Sequence, residues 1–375
     1  MYDVIVIGTG GVGSAALCEL AGRGLRVLGL DRFPPGHQRG SSHGQTRIIR
    51  RSYFEHPDYV PLLNMAWDLW DELCARRDTA LLQRTGLVYF GPPQSPVITG
   101  VIESAAQHHL KVDVLEHKES AVQFPAFVVP DEATVLFESE AGYLFVEECV
   151  TAFIDDAIQQ KAEIKSDATV LSWSSHGSHV SVDTDGGRYE AARLVVTAGA
   201  WSRSLLAELD IPLQVVRKHL HWYTTRDRHC QQARGCPCFF YAAMNGYFYG
   251  FPDFGHGLKV AEHSGGQPID DPLRDDHHEE SADTERIGSF LQQYLPGVDQ
   301  QRLRHDVCFY TMTPDEHFII DRHPEHPNVV FAAGLSGHGF KFASAIGRML
   351  TELAVDGRTS VPLDFLSLQR AGLLR

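Results

Sequence analysis

Three glycines near the start of the chain, Gly8, Gly10 and Gly13, stand at G-x-G-x-x-G spacing in "DVIVIGTGGVGSAALCELAGRGLRVLGLDRF". An apolar run over residues 3–7 precedes them, and residues 11–22 carry helical apolar periodicity through Val12, Ala15, Ala16, Cys18 and Leu20. Gly24 ends that helix, and a second apolar run over 25–30 finishes at Asp31, 18 residues past Gly13. Each part has a physical task in holding a dinucleotide. Gly8 permits the tight turn, Gly10 lets backbone approach a pyrophosphate, and Gly13 lets helix and strand pack closely. The helix N-terminus offers free N–H groups to phosphate, and an acid at the second strand's end accepts hydrogen bonds from a ribose. NAD and FAD share this fingerprint; Asp31 disfavours NADP, whose 2′-phosphate it would repel.

Other residues have chemistry-bearing types but weaker spacing. "TRIIR" sets Arg47 and Arg50 three apart, on one face if the segment is helical. In "GLKVAEH" strict alternation puts Lys259, Ala261 and His263 on one face of a strand. Cys230, Cys236 and Cys238 with His229 lack a standard zinc spacing and read as packing residues. Tyr249 and Tyr310 read equally well as core or as pocket aromatics.

These residues need elements to position them. A long Pro/Gly/Ser/His stretch follows Asp31, too long for a plain connector. Residues 61–77 predict an amphipathic helix, with Trp67 and Trp70 in the core, and residues 146–161 a further helix. Strands are predicted at 86–90, 134–138, 193–198, 213–225, 238–250 and 256–263, with a hairpin at Asp185–Gly186–Gly187. The later strands are aromatic and alternating, which suits an antiparallel sheet with one exposed face. "NVVFAAGLSGHGFKFASAIG" then predicts a strand at 328–333, a Gly-rich turn and a helix. That return to the nucleotide fold suits a flavin, whose ring system reaches beyond the adenosine site and needs its own support. The expected class is α/β. A Rossmann-type nucleotide domain (1–85, 150–212 and 305–375) interleaves with a mixed, largely antiparallel substrate domain (86–149 and 213–304).

The 375 residues are enough for two domains, and 43% hydrophobic with 22% charged residues is ordinary for a globular protein. The formal net charge is −15 with no Lys/Arg block, which recommends neither nucleic acid nor an anionic membrane as partner. No leader and no membrane-length apolar stretch is visible, and seven scattered cysteines suit free thiols in a reducing cytoplasm.

The stretches "GTGGVG", "RGSSHGQTRIIR", "YGFPDFGHGLKVAEHSGG", "CFYTMTPDEHFIIDRHPEHPN" and "GLSGHGFKFA" follow one another in family order. By them the chain resembles the monomeric sarcosine oxidase family of flavin amine oxidases, which includes N-methyltryptophan oxidase and pipecolate oxidase. The resemblance implies a glutathione-reductase-like FAD domain and a mixed-sheet substrate domain. It implies FAD joined to Cys308 through a thioether, with cofactor contacts at Gly8, Gly10, Gly13, Asp31, His43, Val170, Gly337, Gly339 and Lys341. It matches Arg50 and Lys341 to a substrate-carboxylate clamp, Tyr249 and Tyr310 to the pocket, and His263 to a place near the substrate amine. Arg47 matches an arginine stacked near the flavin, and Lys259 the lysine that promotes reaction with oxygen. Arg51 departs from the pattern, standing where a histidine is expected. The implied reaction is oxidation of a secondary amino acid to an imine, with O2 reduced to hydrogen peroxide, in a cytoplasmic monomer. The rivals are a flavin dehydrogenase with another acceptor, an oxidase of a cyclic imino acid such as pipecolate or proline, and a flavin-binding protein without turnover.

Overall fold

In the computed structural model, which describes residues 1–371 and 373, the apolar run at the start becomes the centre of a parallel sheet. Strand Tyr2–Ile7 lies between Val27–Leu30 and Gly187–Val196, parallel to both, and Val329–Ala333 adds in parallel beyond Gly187–Val196. Val4–Ile7, Val27–Leu30 and Val329–Ala333 are buried throughout, as strands covered on both faces must be. Glu163–Lys165 extends one side; a hairpin of Val170–Ser175 and Val180–Thr184 extends the other.

Helix Gly11–Gly22 is buried on nearly every side because it lies between the sheet and two further helices, Val146–Gln159 and Ala343–Val355. Small residues permit this. A Cβ on Gly347 would sit 2.6 Å from the Cβ of Ala15 and 2.7 Å from the nitrogen of Ala16. The returning C-terminal segment is therefore packed onto the first helix.

The second sheet has nine strands. Its order is Gln267–Ile269, Gln214–Thr225, Leu258–Glu262, Gly246–Phe251, Cys238–Ala243, Leu87–Gly91, Thr134–Glu138 and Asp113–Leu115, with Val298–Met312 paired along Gln214–Thr225. All neighbours run antiparallel except Cys238–Ala243 with Leu87–Gly91. The expected exposed face is absent: separate apolar clusters cover both faces. One cover is helix Ser281–Tyr294, which presses Ile287, Phe290 and Leu291 onto the sheet. Its acidic lead-in hid it in the sequence. Two of the expected domain cuts fall inside single elements. The cut at 304/305 falls inside the continuous strand Val298–Met312, and the cut at 149/150 inside helix Val146–Gln159.

A third, three-stranded sheet joins Thr46–Ile49, Gly142–Phe145 and Leu82–Gln83. "TRII" is thus strand, not helix, because it pairs with Gly142–Phe145 through main-chain bonds that a four-residue stretch does not announce. Trp67 and Trp70 are buried core, and the Trp70 indole donates to the Lys341 carbonyl at 2.8 Å. No helix among the described residues is long and apolar enough to cross a membrane.

The glycine fingerprint makes a testable distinction. A Cβ on Gly13 would lie 1.7 Å from the Gly8 carbonyl oxygen, whereas one on Gly10 would meet only the Ser42 hydroxyl at 3.5 Å. Gly13→Ala should lose about 1–3 kcal/mol in denaturant unfolding. Gly10→Ala should stay within about 0.5 kcal/mol of the parent.

Candidate active site

The two large sheets and the Gly-rich turns enclose a cavity of about 260 Å³. Its nucleotide end is lined by Gly8, Gly10, Asp31, Phe33, Val170 and Trp201. Asp31 is held by the Thr9 N–H at 2.6 Å, the Thr9 hydroxyl at 3.1 Å and the Phe33 N–H at 3.0 Å. Helix Gly11–Gly22 starts at Gly10 with no side-chain cap, and the Gly11 N–H donates to the Ser42 hydroxyl at 3.0 Å. Gly13 does not line the cavity; its role is the close packing against Gly8.

The middle is formed by the loop through Ser41 and Ser42. Arg47 lines the cavity and donates to the carbonyls of Thr46 and Ser41, each at 2.9 Å. Lys259 does not line it. Its ammonium stands behind the loop, 1% exposed, and donates to the carbonyls of Gly44 at 2.5 Å and Thr46 at 2.8 Å. Burial, then Arg47, push its pKa well below the ordinary value. His43 is buried nearby with neither ring nitrogen hydrogen-bonded, and burial lowers its pKa to about 3. Cys308 is also off the cavity wall, 1% exposed, although the next residues Phe309, Tyr310 and Thr311 line it. Burial pushes the Cys308 thiol up; Arg47, Lys259 and Lys218 oppose that. Lys218, missed in the sequence, faces Cys308 across the strand pair and donates to the carbonyls of His263, Ser264 and Gly265.

The far end gathers Arg50, Lys341, Tyr249, His263, Tyr310, Phe240, His338 and Glu55. Arg50 and Lys341 approach one ring, Tyr53, at 4.2 and 5.2 Å from its centroid. Arg50 pairs with Glu55 through Nη2 alone, which meets both carboxylate oxygens at 2.8 and 2.7 Å. Lys341 donates to the His338 carbonyl at 2.7 Å; burial, with Arg50 repelling it, brings its pKa down to about 7. His338 donates from Nε2 to the Glu316 carbonyl at 3.0 Å, which leaves Nδ1 to accept from the Tyr53 hydroxyl at 2.6 Å. The His263 ring stands 5.7 Å from that of Tyr310 and 6.2 Å from that of Tyr249, and burial lowers its pKa to about 3. It is therefore a neutral hydrogen-bonding group, not a cation. Gly337 and Gly339 line the wall, and a Cβ on Gly337 would strike the Tyr310 ring at 2.2 Å.

Arg51, the departure noted above, points away: it pairs with Glu140 at 2.5 Å and covers Trp67. Cys230, Cys236 and Cys238 are buried and unpaired. Among the described residues the trio at metal-ligand spacing is instead Glu208, His323 and His326. The His323 Nδ1 accepts N–H bonds from Glu325 and His326, so its proton sits on Nε2, the atom facing Glu208. That tautomer offers no lone pair to an ion.

A nucleotide cradle, a cationic middle and a far end that joins aromatic rings to an arginine and a lysine fit a cofactor-dependent oxidoreductase. The sequence matches the family described as "DAO: FAD dependent oxidoreductase" over residues 3–353. The chain belongs to that family. It is 40% identical to monomeric sarcosine oxidase of a Bacillus species over 377 aligned positions, covering 99% of this chain and 97% of the relative. It is also 40% identical to N-methyl-L-tryptophan oxidase of Yersinia pestis, covering 98% and 99%. In fold it is similar to NikD, an amino acid oxidase of nikkomycin biosynthesis, at 24% identity and a TM-score of 0.87 over 100% of this chain and 98% of that one. The residues present fit FAD: the Gly10 approach is open, Asp31 is set for a ribose, and the buried His43 ring lacks partners.

The Lys341 titration carries a pH prediction. Its ammonium form attracts a carboxylate and is lost as pH rises past about 7. Affinity for acetate as a competitor should therefore fall above that pH, by at most about tenfold per unit for one proton. Lys341→Met should flatten that slope in inhibition measured across pH.

Proposed function

We propose that this chain oxidises a secondary amino acid, an N-methyl amino acid such as sarcosine or N-methyltryptophan, to its imine, with O2 reduced to hydrogen peroxide. The observation that carries the reading is the placing of Arg50 and Lys341 beside one ring, Tyr53, at the aromatic end of the cavity. FAD, when bound along Gly8, Gly10 and Asp31, would supply the two-electron redox chemistry between the amine and O2. The chain supplies position and charge. Arg50 and Lys341 hold the carboxylate, a strong arrangement in a dry cavity. Glu55 occupies only the Nη2 of Arg50, so the incoming carboxylate would share this guanidinium with it. The neutral His263, between Tyr249 and Tyr310, accepts or donates a hydrogen bond at the amine without adding charge. Water hydrolyses the imine, releasing formaldehyde from an N-methyl substrate. Lys259, behind Arg47, adds positive charge where negative charge develops on O2.

The same reading has FAD joined to Cys308, with Arg47, Lys259 and Lys218 favouring the thiolate that such a bond requires. It keeps two interleaved domains, moved to whole elements: the nucleotide domain takes helix Val146–Gln159, the substrate domain strand Val298–Met312. All seven cysteines are unpaired, which supports a reducing cytoplasmic setting.

A peroxide-coupled screen of secondary amino acids of graded size tests the reaction; no peroxide from any of them would overturn it. Arg50→Met and Lys341→Met should each weaken acetate inhibition by about 2–5 kcal/mol, the range for losing one partner of a buried charge pair. Unchanged inhibition in both would put the carboxylate elsewhere. For the linkage, acid-precipitated protein should stay yellow, and Cys308→Ala should release its flavin. Flavin washing out of the parent in acid would remove the covalent bond from the reading and leave the rest.

A further inference from the structure

The turn Gly44–Gln45–Thr46 is gripped from two sides by opposite charges. On one side the Lys259 ammonium takes the carbonyls of Gly44 and Thr46. On the other, the Glu147 carboxylate accepts the Gly44 N–H at 2.7 Å and the Gln45 N–H at 3.2 and 3.1 Å. The turn is also strained. Gln45, not a glycine, has φ +72°, directly after Gly44 at φ +83°. A non-glycine residue persists there only where its surroundings over-determine it. Here they do: the Gln45 side chain accepts from the Trp222 indole at 2.8 Å, and its carbonyl accepts from the Val146 N–H at 3.0 Å. Arg47 leaves the end of this turn and shares the Thr46 carbonyl with Lys259.

Glu147 is more than a helix-end acid. It shares the first turn of helix Val146–Gln159 with Glu148, where any acid interacts favourably with the dipole. Glu148 is exposed; Glu147 is half-buried and turned onto the loop. Among the described residues it makes no ion pair, so its charge is spent on the turn. Asp306, the other carboxylate acting on Lys259, is engaged by Arg304.

We infer that Glu147 is a positioning residue: through the Gly44–Thr46 peptides it fixes Lys259 and the start of Arg47 against the flavin site. Its charge also favours the cationic forms of both, against their burial. The inference rests on the reading that Lys259 serves the reaction with oxygen.

The test uses holoenzyme and a double-mutant cycle of Glu147→Ala with Lys259→Met. Two readouts apply: stopped-flow rates of the two half-reactions, and titration of the oxidised enzyme with sulfite, which adds reversibly to flavins flanked by positive charge. Glu147→Ala should slow reoxidation and weaken sulfite binding by about tenfold, the order seen when a group orienting a reactive one is lost. Anaerobic reduction should change much less. In the Lys259→Met background the same change should add less than about twofold, since the two act as one unit. Glu147→Gln keeps the shape and one acceptor; it should show a smaller effect in the same direction, and serves if the alanine variant does not fold. An equal loss in both backgrounds, or no change in either readout, overturns the inference. If Lys259→Met alone leaves reoxidation unchanged, the oxygen role fails separately, and the sulfite series still decides whether Glu147 acts through Lys259.

Discussion

Buried positive charge is the constraint around which this molecule is built. Arg47, Arg50, Lys218, Lys259 and Lys341 all lie in or just behind one cavity, in a chain whose net charge is −15. Taking so many cations out of water is costly unless each is hydrogen-bonded or paired. Only Arg50 has a direct carboxylate, Glu55. The others are held by main-chain carbonyls: Thr46 and Ser41 for Arg47, Gly44 and Thr46 for Lys259, His263 to Gly265 for Lys218, His338 for Lys341. Carbonyl dipoles hold a cation without cancelling its charge. The cavity therefore keeps a positive field that suits a dinucleotide at one end and, in the proposed function, a carboxylate at the other.

That arrangement explains the interleaved fold. For Lys259 the carbonyls come from the loop after the first βαβ unit, while the cation comes from a strand more than 200 residues later: Lys259 and Gly44 are 215 residues apart. A loop leaving the parallel sheet must be laid against the antiparallel sheet, and the small sheet at Thr46–Ile49 pins it there. The C-terminal return brings Lys341 to the Tyr53 ring in the same way, 288 residues distant in sequence.

What could be read from sequence follows the same division. The glycine fingerprint, its helix and Asp31 are local, and each residue's task depends on neighbours within one βαβ unit, so they were legible. The segment around Arg47 and Arg50 was not: four residues do not distinguish strand from helix, and its pairing partner lies near residue 143. Glu55 and Glu147 carried no motif at all. Glu147 acquires its role only by meeting Gly44, 103 residues away. Helix Ser281–Tyr294 was hidden because its polar face outnumbers its apolar one, and only the sheet beneath it gives Ile287, Phe290 and Leu291 a reason to face inward. Lys259 and Cys308 were recognisable through family likeness, yet neither lines the cavity. Both stand immediately behind residues that do, a placement no spacing rule reveals.

The two cations at the far end are not equivalent, and the difference has a physical use. Arg50 is always charged, and Glu55 pairs with it through Nη2. Lys341, in similar burial, makes no ion pair among the described residues, and burial with Arg50 nearby brings its pKa down to about 7. Under the proposed function an incoming carboxylate would change both states. It would share Arg50 with Glu55, and as a counter-charge it would favour the ammonium form of Lys341. On that reading the charged form of Lys341 is wanted at one wall and a deprotonated amine at the other, beside the neutral His263. In the proposed function Arg50 and Lys341 would then fix the carboxylate, while the neutral His263 adds no charge beside an amine that must be unprotonated to lose a hydride equivalent.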